Sequence, residues 1–289
     1  MRNPLWAAVF WEDRNMFKAL TDMFSYTFMY RAVIVGILIA LCAALLGVSL
    51  VLKRYSMIGD GLSHVGFGAL AVATALNAAP LQVAVPVVIL AAFLLLRLSE
   101  NSKIKGDSAI ALISTGALAV GVMAISLTSR NNIDLMNYMF GSILAMTESD
   151  VWLSICLSAA VLLLYVFFYG KIFAVTFDEN FARATGIKAG LYNILIATLT
   201  AVTIVLGMRL MGALLISSLV IFPALTAMRV CKSFRSVVLC ASVTAVLCFF
   251  AGISVSFIGD TPVGASVVCV NIACFLIFSL AGKLLTLRR

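Results

Sequence analysis

Apolar residues occur in nine long runs that are separated by short polar gaps. Most runs hold about 20 residues, the length that a helix needs to cross the hydrocarbon core of a bilayer. The alternating segments of about ten residues that are typical of membrane β-barrels are absent from the sequence. The pattern therefore predicts an all-α, polytopic transmembrane helical bundle of about nine spans, roughly at 31–52, 57–77, 80–98, 108–128, 150–170, 190–208, 211–228, 236–258 and 264–285.

The first 30 residues do not follow this pattern, because aromatic and charged residues alternate in them. Acidic residues interrupt the stretch in which a cleavable signal peptide would need an apolar core. Aromatic side chains settle at membrane interfaces, so we expect residues 1–30 to form an amphipathic segment on the membrane surface. Residues 31–289 then form the transmembrane domain.

The composition agrees with a lipid environment. Charged residues make up 11% of the chain, against about 25% in an ordinary soluble domain. The net charge of +8 does not indicate a nucleic-acid partner, because the basic residues occupy short gaps rather than a folded polar domain. The seven cysteines form no C-x-x-C pair, and most lie within apolar runs, so we interpret them as small buried side chains.

The distribution of basic residues predicts the orientation in the membrane. If alternate gaps face the same side, 14 of the 20 basic residues lie on one side, which the positive-inside rule assigns to the cytoplasm. The N-terminus is then outside and the C-terminus cytoplasmic. These 14 residues are Lys53, Arg54, Arg97, Lys103, Lys105, Lys171, Arg183, Lys188, Arg229, Lys232, Arg235, Lys283, Arg288 and Arg289.

Two ionisable residues lie inside the second predicted span. Asp60 and the only histidine of the chain, His64, are four residues apart and so share one face of a helix. A charged carboxylate at this depth costs about 2.5 kcal/mol or more, so it should face a cavity or a partner. The residue types leave three interpretations open: a structural pair or helix cap, a proton relay, or a site for a divalent metal.

A metal site would need more ligands than one chain supplies here. If a second copy of the helix lay across a two-fold axis, two aspartates and two histidines would surround one ion. Gly59, Gly61, Gly66 and Gly68 flank the pair, and small residues allow the close helix approach that such an axis requires.

The gap over 171–190 contains a second candidate feature. Phe177, Phe181 and Ala184 follow helical spacing, Asp178 and Glu179 suit a helix start, and Gly186 can end the helix. This spacing predicts a short amphipathic helix around 177–187. From the residues alone, its apolar face could rest on lipid headgroups or bind another protein.

No phosphate-binding G-x-x-x-x-G-K-[ST] motif is present, and no serine has a second histidine as its base. We therefore expect the chain not to be an enzyme.

Five blocks of sequence occur in series at characteristic spacing. They read LLGVSLVLKRYSMIGDGLSHVGFGALA, GDSAIALISTGALAVGVMAIS, MNYMFGSILAM, FDENFARATGI and GALLISSLVIFPALTA. With these blocks, nearly the whole chain from about Tyr30 resembles the ABC-3 family, the permease subunits of ABC importers for divalent metals. The usual D-A-L-S-H-A of this family is DGLSHV here, and its departures at Gly61 and Val65 leave Asp60 and His64 in place.

The resemblance implies a function and a set of partners. It implies a multi-pass permease in the plasma membrane of a prokaryote, most simply a homodimer, that imports zinc or, next in order, manganese or iron(II). Asp60 and His64 would be the metal site in the pathway, with no permanently bound cofactor. Residues 177–187 would be the coupling helix that contacts cytoplasmic ATPase subunits, on which ATP is hydrolysed. An extracytoplasmic metal-binding protein would deliver the ion.

Two rival hypotheses remain from the residues. A proton- or ion-coupled secondary transporter would use Asp60 and His64 as a relay, would need no ATPase, and would usually show internal inverted repeats. A membrane scaffold without transport activity would be indifferent to the replacement of Asp60 by Asn.

Overall fold

The computed structural model describes residues 25–101, 106–128, 141 and 147–287. Nearly all of these residues are helical, and none of them lies in a β-strand. The predicted interfacial segment over 1–30 lies outside the described residues except for its last six. The helices are α1 Thr27–Leu52, α2 Ser56–Ala75, α3 Pro80–Asn101, α4 Gly106–Thr128, α5 Glu148–Phe167, α6 Tyr169–Phe177, α7 Glu179–Ala184, α8 Ala189–Met211, α9 Ala213–Val230, α10 Phe234–Gly259 and α11 Val263–Leu287.

The predicted membrane spans are present as helices. Among the described residues, eight helices are long and apolar enough to cross a membrane: α1, α3, α4, α5, α8, α9, α10 and α11. The remaining predicted span forms α2, which has 20 residues. It is not among these eight, and it carries two ionisable residues, Asp60 and His64. The all-α polytopic fold is thereby confirmed.

The centre of the bundle and its outer surface are both apolar. Helices α1, α8 and α9 pack on one another in the centre, and Ile39, Ile204 and Leu219 are fully buried there. On the outer helices α5 and α11, Phe167 and Leu280 are 80% and 65% exposed. Large apolar side chains with this exposure are unfavourable in water but suit hydrocarbon.

The two ends of the bundle differ in charge. At one end, here called the basic end, the α1–α2 turn meets the segment that contains α6 and α7. The Phe173 ring lies 5.0 Å from the Phe234 ring at the start of α10. The C-terminal helix α11 also finishes there, since Gly282 lies against the carbonyl of Arg229. The other end contains the starts of α1 and α5. The described chain therefore begins and ends on opposite sides, and the assignment of the basic end to the cytoplasm stays a prediction.

Two of the glycines of α2 allow close packing within one chain, whereas the sequence suggested close packing between two chains. Helix α2 packs on α3, α4, α8 and α9 of its own chain. A Cβ atom at Gly61 would lie 2.6 Å from the Ile110 side chain, and one at Gly68 would lie 2.5 Å from the Ala117 carbonyl oxygen. At Gly61 and Gly68, the close approach is therefore between α2 and α4 of the same chain. We had expected it between two copies of α2.

The predicted helix over 177–187 is interrupted. Phe177 is the last residue of α6, Asp178 is extended with φ −147° and ψ 98°, and α7 begins only at Glu179. The Asp178 carboxylate accepts a hydrogen bond from the Phe181 N–H at 2.9 Å, and this cap favours a new helix start. Gly186, with φ +84°, ends the segment as predicted.

Candidate functional site

Asp60 and His64 lie on the exposed side of a helix that is otherwise largely buried. Between Ile58 and Ala71, the other residues of α2 are buried, whereas the side chains of Asp60 and His64 are 43% and 29% exposed. Met57, which is also exposed, precedes Asp60 by one turn. Among the described residues of α2, these three form a stripe that is partly or largely exposed. A carboxylate and an imidazole on such a stripe should face a water-filled path or a second protein surface rather than lipid.

The geometry of the pair removes one structural alternative. Asp60 does not cap α2, because the N-cap is Tyr55 and no side chain caps the helix there. The Asp60 Oδ2 atom lies 3.7 Å from His64 Nε2, which is longer than a hydrogen bond. Two ligands held at about 2.1 Å from a tetrahedral ion are about 3.4 Å apart. The observed separation is therefore close to that of two ligands of one ion.

One chain supplies only part of a metal-binding shell. In the ranges that the structure describes, no third His, Cys, Asp or Glu side chain joins Asp60 and His64 in a group that could hold a metal ion. Tight sites for zinc use three or four protein ligands. The arrangement can bind a divalent ion loosely, or it can be completed by residues from another chain.

The second candidate feature is the segment from Phe173 to Gly186 at the basic end. Ala182 of α7 is fully buried in a small apolar cluster with Val175, Ala189 and Tyr192. The predicted apolar residues are exposed instead: Phe177 and Phe181 are 61% and 63% exposed, and Ala184 is exposed too. The Phe177 ring also packs against Phe173 at 5.0 Å and Phe234 at 6.0 Å. Phe177 is thus supported by two neighbouring rings, and all three predicted residues remain exposed to a partner or to lipid.

A polar cluster joins this segment to the start of the Asp60 helix. Glu179 Oε2 lies 3.4 Å from Lys53 Nζ and accepts a hydrogen bond from Asn193 Nδ2 at 3.1 Å. Lys53 also donates to Asn193 Oδ1. Glu179 Oε1 accepts from Arg183 at 2.6 Å. Sequence reasoning placed Glu179 at the start of the expected coupling helix and Lys53 among the cytoplasmic basic residues. It did not predict a contact between them, and it did not single out Asn193.

The cluster keeps Glu179 ionised. Burial alone raises the pKa of this carboxyl, but hydrogen bonds from Asn193 and Arg183 and the positive charge of Lys53 outweigh burial, so the net pKa is lowered. The one sequence signal that could have revealed the cluster is Asn193, a polar residue within the sixth apolar run.

Comparison with known proteins relates these features to one family. Residues 25–282 match the ABC 3 transport family. The manganese import system permease protein ScaB of Streptococcus gordonii is 30% identical over 271 residues, which cover 93% of this chain and 97% of that protein. The high-affinity zinc uptake system membrane protein ZnuB of Haemophilus influenzae is 30% identical over 253 residues, which cover 87% of this chain and 97% of that protein.

The fold has a counterpart among solved structures. PsaBC from Streptococcus pneumoniae, solved in complex with Fab, superposes with a TM-score of 0.84 at 27% identity, covering 95% of this chain and 100% of that chain. The sequence match and the structural match both extend over the helices that carry Asp60, His64 and Glu179. This multi-pass membrane chain therefore belongs to the ABC 3 transport family.

Proposed function

We propose that the chain is the permease subunit of an ATP-driven importer of divalent metal ions, with zinc as the first candidate and manganese or iron(II) next. The observation that carries the proposal is the partly exposed Asp60–His64 pair on a largely buried helix. The chain is also similar to a manganese import system permease protein and to a membrane protein of a zinc uptake system. Carboxylate and neutral imidazole are ligands for all three ions, so the pair itself does not select among them.

The incomplete ligand set favours a pair of permeases. Two copies whose α2 stripes face each other would bring two Asp60 and two His64 side chains around one ion. Binding by these four ligands replaces part of the hydration shell of the metal, and separation of the two copies releases it. Alternation between two arrangements of the pair is then the transport step, and ATP supplies the bias between them.

The exposed face of Phe177, Phe181 and Ala184 supports a partner at the basic end. We assign this face to a cytoplasmic ATPase subunit. The assignment puts α7, Gly186 and the C-terminal end of α11 on the cytoplasmic side. Lipid headgroups are the alternative occupant of this face. The permease would lie in the plasma membrane of a prokaryote. A metal-binding protein on the outer side would deliver the ion to the opposite end of the bundle.

A secondary transporter driven by protons or ions is not favoured, because the matched family is one of ABC transport. The discriminating requirement is an ATPase: the proposed importer needs one, whereas the secondary transporter does not.

The proposal is tested by uptake of radioactive zinc, manganese and iron into cells that lack the native chain and carry a variant. His64→Ala should abolish high-affinity uptake of the physiological metal while the amount of permease in the membrane stays normal. Leu76→Ala, at the exposed far end of α2 and outside the stripe, is the control and should transport like the wild type. Wild-type uptake by His64→Ala, or uptake that persists without any ATPase subunit, would refute the proposal.

A further inference from the structure

The turn that precedes the Asp60 helix is short and hydrogen-bonded to the end of α1. It contains only Lys53, Arg54 and Tyr55, and the backbone N–H groups of all three donate to carbonyls in the last turn of α1 at 3.1, 3.1 and 2.8 Å. Arg54 has a φ of 61°, a left-handed conformation that a non-glycine residue adopts at a cost. A turn fixed in this way transmits a displacement to the next helix instead of absorbing it.

The side chain of Lys53 ties this turn to the segment with the exposed aromatic face. The side chain is only 8% exposed, and its ammonium group contacts Glu179 at the start of α7 and Asn193 of α8. Asn193 also donates to Glu179, so each of the three side chains contacts the other two. Glu179 Oε2 lies 3.4 Å from Lys53 Nζ and 3.1 Å from Asn193 Nδ2. Any shift of α7 therefore changes the position of the Lys53 ammonium group.

The metal pair lies a short distance beyond the turn. Asp60 follows the first residue of α2 by four positions, which is about 6 Å along the helix axis. His64 follows one turn later on the same face. A movement of the turn that precedes α2 consequently tilts or rotates the stripe that carries both side chains.

We propose that Lys53 and Glu179 are positioning residues that transmit movement of α7 to α2, and hence to Asp60 and His64, in the transport cycle. The inference rests on the proposed function, since it assumes that an ATPase moves α7 and that a metal ion occupies the pair. It adds a specific route from the ATPase to the metal ion. The route runs from α7 through Glu179 and Lys53 to the α1–α2 turn and then to α2. Loss of the ion pair should let the ATPase turn over without moving metal.

The test measures zinc or manganese uptake and ATP hydrolysis together, on the permease–ATPase complex reconstituted in vesicles. Glu179→Gln keeps the shape of the side chain and an acceptor for Asn193 while it removes the charge. Lys53→Met removes the other charge. Each variant should keep ATP hydrolysis within about twofold of the wild type and lower the metal transported per ATP by about tenfold, a size usual for coupling between sites.

Two further variants separate transmission from mere stabilisation. Arg183→Gln removes the other ion-pair partner of Glu179. The Arg183 side chain is 60% exposed, and in the contacts described it makes no link to the turn. Transport per ATP by this variant should therefore stay near the wild-type value. The charge exchange Lys53→Glu with Glu179→Lys should restore transport per ATP at least threefold over either single charge reversal. A structural role would lower hydrolysis and uptake in proportion and leave their ratio unchanged.

The inference is overturned if Glu179→Gln and Lys53→Met keep the wild-type ratio of metal to ATP, whether or not their activity is reduced. Failure of the proposed function is visible elsewhere. In that case the wild-type complex itself would transport no metal or would contain no ATPase, whereas failure of the inference leaves wild-type transport intact.

Discussion

Arg209 at the end of α8 and Asp150 in the first turn of α5 form a two-point ion pair at the end of the bundle opposite Lys53. The guanidinium nitrogens lie 3.1 and 3.0 Å from the two carboxylate oxygens, and the side chains are 15% and 13% exposed. Two parallel contacts of this kind fix both distance and orientation. The pair therefore locks the start of α5 to the end of α8, two helices that are far apart in the sequence.

Asp150→Asn should destabilise the protein by about 3 kcal/mol, the lower end of the range for breaking a buried ion pair, because Arg209 keeps its charge without a counter-ion. The amide still offers an acceptor to Thr147 in the helix cap. Thermal unfolding of the purified protein in detergent measures the loss. The control is Glu148→Gln, whose carboxylate is 75% exposed in its pair with Arg31, and which should cost at most about 1 kcal/mol. Equal loss in both variants would contradict a locking role for Asp150.

Local features of this fold were predictable, and long-range contacts were not. The apolar runs gave the helices because a chain in lipid must satisfy its backbone hydrogen bonds within each span. The spacing of Asp60 and His64 gave a shared helix face for the same reason. The ion pairs Asp150–Arg209 and Lys53–Glu179 join residues 59 and 126 positions apart, and no periodicity encodes such distances.

The break at Asp178 shows a second limit of sequence reasoning. Phe177, Phe181 and Ala184 have the spacing of one continuous helix face, and all three are exposed in the structure. A capping aspartate competes with continuation of the helix, and the outcome depends on the packing of Ala182 and Phe177 against other segments. The three residues are divided between α6 and α7, so the helix that carries Phe181 and Ala184 is shorter than expected.

Gly68→Ala should weaken the packing of α2 on α4. The added Cβ atom would lie 2.5 Å from the Ala117 carbonyl oxygen, a backbone atom that cannot rotate away. The two helices must then separate, at a cost of about 1–3 kcal/mol that is typical of overpacking. Gly116→Ala on α4 is the matched control, since a Cβ atom there meets no neighbour within 4 Å. The unfolding temperatures of the two variants in detergent compare them directly, and a loss in Gly116→Ala as large as in Gly68→Ala would contradict this packing.

The contribution of Glu179 to stability should persist into mildly acidic solution. Its pKa is lowered in the folded protein, so the contribution is fully present above the pKa of the unfolded chain and is lost as the pH falls through the folded pKa. The difference in unfolding temperature between the wild type and Glu179→Gln should therefore stay constant from about pH 8 to about pH 5. It should shrink only when the pH falls below the ordinary glutamate value of 4.5. A difference that has already vanished at about pH 6 would argue against the Lys53–Glu179–Asn193 cluster.

Phe181→Asp should release the ATPase from the permease. Phe181 is 63% exposed, and burial of one aromatic side chain in a partner groove contributes about 1.5–3 kcal/mol. The aspartate removes this contribution and places a charge against the groove. Since α7 lies outside the spans, the amount of permease in the membrane should not change. Copurification of the ATPase from detergent extracts, measured beside the quantity of permease, should fall at least tenfold, in line with the lost free energy.

The same helix offers the control for this experiment. Asn180→Asp places a new negative charge one residue earlier, at an exposed position of α7, and leaves the Phe181 ring in place. If the aromatic contact holds the ATPase, Asn180→Asp should copurify it almost normally and Phe181→Leu should retain most of it, because leucine keeps an apolar side chain. If Asn180→Asp and Phe181→Asp lose the ATPase equally, charge rather than the ring determines docking. If Phe181→Asp loses none, the exposed face of Phe177 and Phe181 rests on lipid, and the ATPase must bind the Arg97–Asp107 or Arg229–Arg235 connection instead.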